Sequence, residues 1–181
     1  KGFNQFRIIF KLKSKVPNAF YSQAVEKLIE NKGVSPKKML LKQFDSMIEN
    51  VAHCIENTED KVLSDASSLL ANKQRVFIFG YRQSSAMANI LRYGLALLRP
   101  NVQMLVQSDH GVAIALGQLK KNDLLVVIGS APYSNRTVKI TSLASQQGCQ
   151  ILAITDGELS PLCEFAAVSI CIPTTGAFYS N

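Results

Sequence analysis

Five short apolar runs, each followed by a polar turn and then a helical pattern, leave this chain few architectures. The plainest is Val76-Phe77-Ile78-Phe79, two β-branched and two aromatic residues in a row. It reads as a strand buried on both faces. Gly80 ends it, because a residue without Cβ turns freely at a strand exit. The other runs are 102–106, 124–128, 150–154 and 167–172, separated by helical stretches 85–98, about 111–119, 136–147 and a turn at 160–165. Strands that alternate with helices predict a parallel sheet covered on both faces. Right-handed crossovers favour a doubly wound α/β fold, a five-stranded parallel sheet in order 2-1-3-4-5 flanked by helices.

In that order the chain leaves strands one and three in opposite directions, and a crevice opens at their carboxyl ends, where ligands bind. The loops facing it are 80–85 and 129–137. Both are rich in hydroxyls and amides, and each carries one arginine. Ser84 or Ser85 can cap the helix that follows the first loop, whose free N–H groups and dipole favour an anion. The candidate ligand-binding residues are Tyr81, Arg82, Ser84, Ser85, Ser130, Ser134, Arg136 and Thr137. Two loops with the same chemistry converging on one crevice argue for a site, although each alone also fits an ordinary β-to-α turn. The arginines equally fit surface ion pairs with an acid such as Asp109.

Two helices precede the alternation. Ser35-Pro36 has the form of an N-cap followed by a proline at the first helical position. Met39, Leu40, Phe44, Met47, Ile48, Val51 and Ile55 then make an apolar stripe that can seat on the sheet or on a second copy. Thr58-Glu59-Asp60 opens the second helix, which ends near Asn72. Upstream, 18–33 has helical spacing and stops at Asn31-Lys32-Gly33. Charge divides the chain unevenly. Residues 1–40 hold nine Lys/Arg and two Asp/Glu, whereas the remainder holds eleven of each. A basic, partly helical appendage over 1–35 beside a neutral domain over 36–181 fits a segment that works near nucleic acid, or simply a solvated basic end. No apolar run approaches the ~18 residues of a membrane span. Four scattered cysteines without a C-x-x-C pair read as thiols in a reducing cytoplasm, and two histidines give no metal site. No cofactor is expected.

The Gly80-x-x-x-Ser84-Ser85 turn, the strand Asn122-Asp123-Leu124-Leu125-Val126-Val127-Ile128 with its hydroxyl loop, and Ile154-Thr155-Asp156 followed by Ser160-Pro161-Leu162 resemble the sugar isomerase (SIS) domain. More narrowly, the chain resembles bacterial RpiR-type transcriptional regulators, which join an N-terminal helix-turn-helix domain to a C-terminal SIS sensor. The likeness covers about 36–181. The start, Lys1-Gly2-Phe3-Asn4-Gln5-Phe6, is similar to the closing segment of that DNA-binding domain, and Tyr179-Ser180-Asn181 stands where such domains continue into a closing helix. The resemblance implies a non-enzymatic ligand-sensing and oligomerisation domain of a DNA-binding regulator of carbohydrate catabolism. It implies a small anionic sugar metabolite, phosphosugar or sugar acid, and DNA contact through the missing N-terminal domain. A homodimer or higher oligomer in the cytoplasm follows from the same likeness. The chain departs from the family at two points. Arg82 stands where SIS domains have Gly, and Gly129-Ser130-Ala131-Pro132-Tyr133-Ser134 replaces a Ser-x-Ser-Gly-x-Thr phosphate loop. Arginine can take over that grip, since a guanidinium holds a phosphate or carboxylate bidentately. An isomerase-type enzyme and an oligomerisation module with a vestigial pocket are the alternatives. Against the enzyme, the two loops contain no Glu or His to move a proton, and only Asp109-His110 lies at the edge of the crevice.

Overall fold

In the first strand of the sheet, side chains alternate between two cores, and that alternation organises the domain. The computed structural model describes residues 34–105 and 108–173. The elements are α1 (Pro36–Asn57), α2 (Asp60–Asn72), β1 (Arg75–Gly80), α3 (Ser84–Leu98), β2 (Val102–Met104), α4 (Asp109–Gly117), β3 (Asp123–Ile128), α5 (Asn135–Gln146), β4 (Gln150–Thr155), a 3-10 turn (Cys163–Phe165) and β5 (Val168–Cys171). The chain divides into two compact units, residues 1–50 with 174–181, and residues 51–173.

Of the first unit, the described part is 34–50, which begins α1. Ser35 caps it as expected, its Oγ accepting from Lys38 N–H at 3.3 Å, and Pro36 is the first helical residue. No residue of α1 is buried. The predicted helix over 18–33 lies outside the described residues.

The second unit holds the sheet, all parallel, in the order β2-β1-β3-β4-β5. This is the predicted doubly wound order. Val76, Ile78, Leu124, Val126 and Leu152 face one core with Ala66 of α2 and Ala88 of α3. Phe77, Phe79, Leu125, Val127, Ile151 and Ala153 face the other, with Val112 and Leu116 of α4 and Ile140 and Ala144 of α5. Helices therefore cover both faces, and strands buried on both sides must read as unbroken apolar runs. A side chain such as Phe79, fully buried, contributes about 2–3 kcal/mol by burial.

Local differences from the sequence reading have simple causes. Gly80 is required for space rather than for turning. A Cβ there would stand 2.3 Å from the Ser84 carbonyl oxygen and 3.1 Å from the Ala88 Cβ, so the first turn of α3 packs directly on the strand end. The N-cap of α3 is Gln83 in helical geometry, without a side-chain cap bond. Neither Ser84 nor Ser85 caps it; Ser85 Oγ donates instead to the Arg82 carbonyl at 2.6 Å. Within the Thr58-Glu59-Asp60 stretch it is Glu59 that stands at the N-cap of α2, while the Thr58 hydroxyl donates to the Cys54 carbonyl one turn back. Edge strand β2 is three residues long, shorter than its apolar run. All four cysteines are free thiols, and burial pushes Cys149 up to about 11.

Candidate functional site

Gly80 and Ile128 are register partners at the carboxyl ends of β1 and β3, so the next residues of both strands leave the sheet side by side. The loops they begin are the two that the sequence singles out. They meet at Tyr81. The Arg136 guanidinium, from the first turn of α5, lies 5.2 Å from the centre of the Tyr81 ring, and the Arg82 guanidinium lies 5.8 Å from it. Tyr81 is half-buried and packs against the core beneath. One aromatic ring thus gathers two cationic side chains at the mouth of the crevice in a cation–π arrangement.

Arg82 is exposed and has φ 54, the left-handed region that favours glycine. The tight turn explains this: the Arg82 carbonyl accepts from both Ser85 N–H (3.1 Å) and Ser85 Oγ (2.6 Å). The Ser85 hydroxyl proton is therefore committed within the turn, and only its lone pairs face outward. Ser84 is half-buried beside Gly80.

On the second loop, Ser130 and Ser134 are half-buried. Ser134 is the N-cap residue of α5 but makes no side-chain cap bond. Thr137 is buried, and its Cγ2 would stand 3.7 Å from a Cβ placed on Gly129. It supports the loop from below. The structure thus brings Tyr81, Arg82 and Arg136 together, keeps Ser84, Ser130 and Ser134 on the flanking loops, and places Ser85 and Thr137 in supporting positions. The side chain of Asp109 lies outside the described residues; His110 is exposed, and Ser108 caps α4 by accepting from Gly111 N–H at 3.1 Å.

A third loop, after β4, also reaches this edge, and the sequence reading did not count it. The Asp156 carboxylate accepts from Ala131 N–H at 2.9 Å and from the Tyr133 hydroxyl at 2.5 Å. The Thr155 hydroxyl donates to Ser160 Oγ at 2.7 Å and stands 3.1 Å from the Asp156 carboxylate. Burial, and then the bond to Asp156, raises the Tyr133 pKa, so the phenol stays a donor at neutral pH. The signal was available: β4 pairs with β3, so a Thr-Asp-x-x-x-Ser stretch after β4 must border the β3 loop. Among the described residues no group of three His, Cys, Asp or Glu could hold a metal ion, and no helix is long and apolar enough to cross a membrane.

Comparison with known proteins agrees with this architecture. The model of the SIS domain family matches residues 69–178. An uncharacterized HTH-type transcriptional regulator of Haemophilus influenzae is 25% identical over 171 residues, covering 92% of this chain. The chain spans 57% of that relative's length. The sugar isomerase domain of an RpiR transcription factor from Sphaerobacter thermophilus superposes with a TM-score of 0.75 at 24% identity, over 79% of this chain and 80% of that one. The Vibrio vulnificus NanR protein, solved in complex with ManNAc-6P, superposes with a TM-score of 0.68 at 15% identity, over 81% of this chain and 55% of its own.

Proposed function

We propose a function that proceeds from one premise: this chain belongs to the SIS domain family. It is the ligand-sensing part of a bacterial DNA-binding transcriptional regulator, and its ligand is a small anionic sugar derivative, a phosphosugar or a sugar acid. The observation that carries this reading is the meeting of Arg82 and Arg136 at Tyr81, between the loops of β1 and β3. A topological switch point with two positioned guanidinium groups suits one phosphate or carboxylate, and flanking hydroxyls suit a polyol. The HTH-type name of the relative and the sugar phosphate in the NanR complex support the same class of role. On this reading, residues 1–35 close a DNA-binding domain, 36–181 form the cytoplasmic sensor, and the sensor self-associates. The basic leader can supply phosphate contacts, and we expect this chain alone to bind DNA weakly and without sequence preference.

An isomerase would need a base free to move a proton between carbons. The carboxylate that reaches the second loop, Asp156, already accepts from Ala131 N–H and the Tyr133 hydroxyl. The reading is therefore a sensor rather than a catalyst. Its test is calorimetric titration with sugar phosphates and sugar acids chosen by a thermal-shift screen. Arg82→Ala should weaken binding by about 1.5–3 kcal/mol, the usual worth of a charge-assisted hydrogen bond. Equal affinities for Arg82→Ala, Ser84→Ala and the parent, with intact melting curves, would remove the site from this crevice.

A further inference from the structure

The second loop holds an anion already, and the anion is the protein's own. Ala131 N–H and the Tyr133 hydroxyl, both from the β3–α5 loop, converge on the carboxylate of Asp156 from the loop after β4. Such a set, a loop amide next to a strand exit with a hydroxyl beside it, is what a bound phosphate or carboxylate would otherwise use. Tyr133 is only partly exposed and its phenol is held protonated, so it acts here as a fixed donor. We infer that Asp156 is a specificity-determining residue that fills the anion cradle of the β3–α5 loop from inside. This deepens the sensor reading above and rests on it.

The consequence is a polarity within the crevice. With Ala131 N–H and the Tyr133 hydroxyl committed, the 129–134 stretch offers a ligand the hydroxyls of Ser130 and Ser134 and a nearby negative charge. An anionic group placed against Ala131 meets the Asp156 carboxylate at short range and finds that amide already used. The ligand's single anionic group is thereby directed to the Arg82 and Arg136 side, and its neutral hydroxyl-bearing part faces the 129–134 stretch. The ligand class is a sugar with one phosphate or one carboxylate. A sugar with anionic groups at both ends is rejected.

Inorganic phosphate is the probe, added to the full chain while backbone amides are followed by 15N–1H NMR. In the parent protein, phosphate should shift the amides of residues 82–86 and leave that of Ala131 in place. A shift at Ala131 as large as those at 82–86 would overturn the inference, even though phosphate bound at the arginines. Asp156→Asn supplies the second arm. It removes the charge and turns one acceptor into a donor, so the carboxylate no longer competes with phosphate at the Ala131 amide. Phosphate should then bind at Ala131 at least tenfold more tightly than in the parent, and the gain should persist in the Arg82→Ala, Asp156→Asn double variant. A folded Asp156→Asn protein with unchanged phosphate binding at Ala131 sinks the proposal. Should Asp156→Asn fail to fold, the parent titration still decides. Phosphate that leaves residues 82–86 unmoved in the parent would instead count against the sensor reading, while the double variant continues to test Asp156 by itself.

Discussion

An arginine occupies the one position of the first loop whose backbone suits glycine. With φ 54, Arg82 carries the roughly 1–2 kcal/mol that a Cβ costs in left-handed geometry, and its exposed side chain makes no ion pair among the described residues. Strain at an exposed charge beside a crevice points to a role in binding rather than in folding. Arg82→Gly should therefore melt at or slightly above the parent temperature while losing anion affinity as Arg82→Ala does. Calorimetry on both variants checks this, and a fall of several degrees for the glycine variant would make the side chain structural. The sequence showed the cation but not its conformation, because φ at a polar turn is set by what the turn's carbonyl must accept. Tyr133 is the second residue of interest. Its folded pKa lies above the ordinary value of about 10, so the phenol's contribution to stability is complete below that pH and is lost as pH rises through the folded value. Tyr133→Phe should cost about 1 kcal/mol at neutral pH, for one lost hydrogen bond. The gap between variant and parent in urea unfolding should narrow above pH ~10. A gap that stays constant would mean that the phenol is not the donor.

Among the elements, α1 and α3 leave apolar faces uncovered. Along α1, Leu40, Phe44, Met47, Ile48, Val51 and Ile55 are all more than half exposed, at a spacing that keeps them on one side. Along α3, Met87, Ile90, Tyr93 and Leu97 are likewise exposed, and nothing lies within 4 Å of a Cβ placed on Gly94. Apolar stripes this long mark contact surfaces, and on the proposed regulator reading a second copy is the partner that two-fold operator reading would supply. The chain should sediment as a dimer or larger at tens of micromolar, and Phe44→Glu with Ile48→Glu should shift it towards monomer without lowering the melting temperature. A parent that is already monomeric would overturn this. The stripe was legible from its periodicity; what it covers was not, since one apolar pattern serves a core and an interface alike. Capping was legible only where the cap is local. Ser35 behaves as its motif implies, whereas Ser84 and Ser85 follow the demands of the Arg82 carbonyl and the close packing on Gly80.

For the molecule as a whole, the alternation of apolar runs gave strand number, direction and order, because strands buried on both faces leave an unbroken signature. The Asp156 lock escaped because it joins residues 23 and 25 positions apart through one hydroxyl and one amide, groups that carry no periodic pattern. The sheet also separates two tasks by its two edges. At the carboxyl edge lie the loops of the candidate site; at the amino edge, Arg75 and Asp123 are register partners at the starts of β1 and β3. The fully buried Asp123 carboxylate accepts from Arg75 Nε at 2.9 Å and Nη2 at 2.6 Å, and from Lys120 N–H at 2.7 Å. The Arg75 guanidinium lies 5.1 Å from the Phe77 ring centre, which ties this pair to the core. Removing the carboxylate strands a backbone N–H and frees a cation, but Arg75 keeps 28% of its side chain exposed and can turn towards water. The cost of Asp123→Ala should therefore be about 2–3 kcal/mol, below the full penalty of a wholly buried pair. Five residue steps of about 3.3 Å put the two edges of β1 roughly 17 Å apart. Asp123→Ala should then lower the urea midpoint while leaving anion affinity, measured well below that midpoint, within twofold of the parent. A loss of affinity equal to that of Arg82→Ala in a still-folded protein would show that the two edges are coupled through the strands.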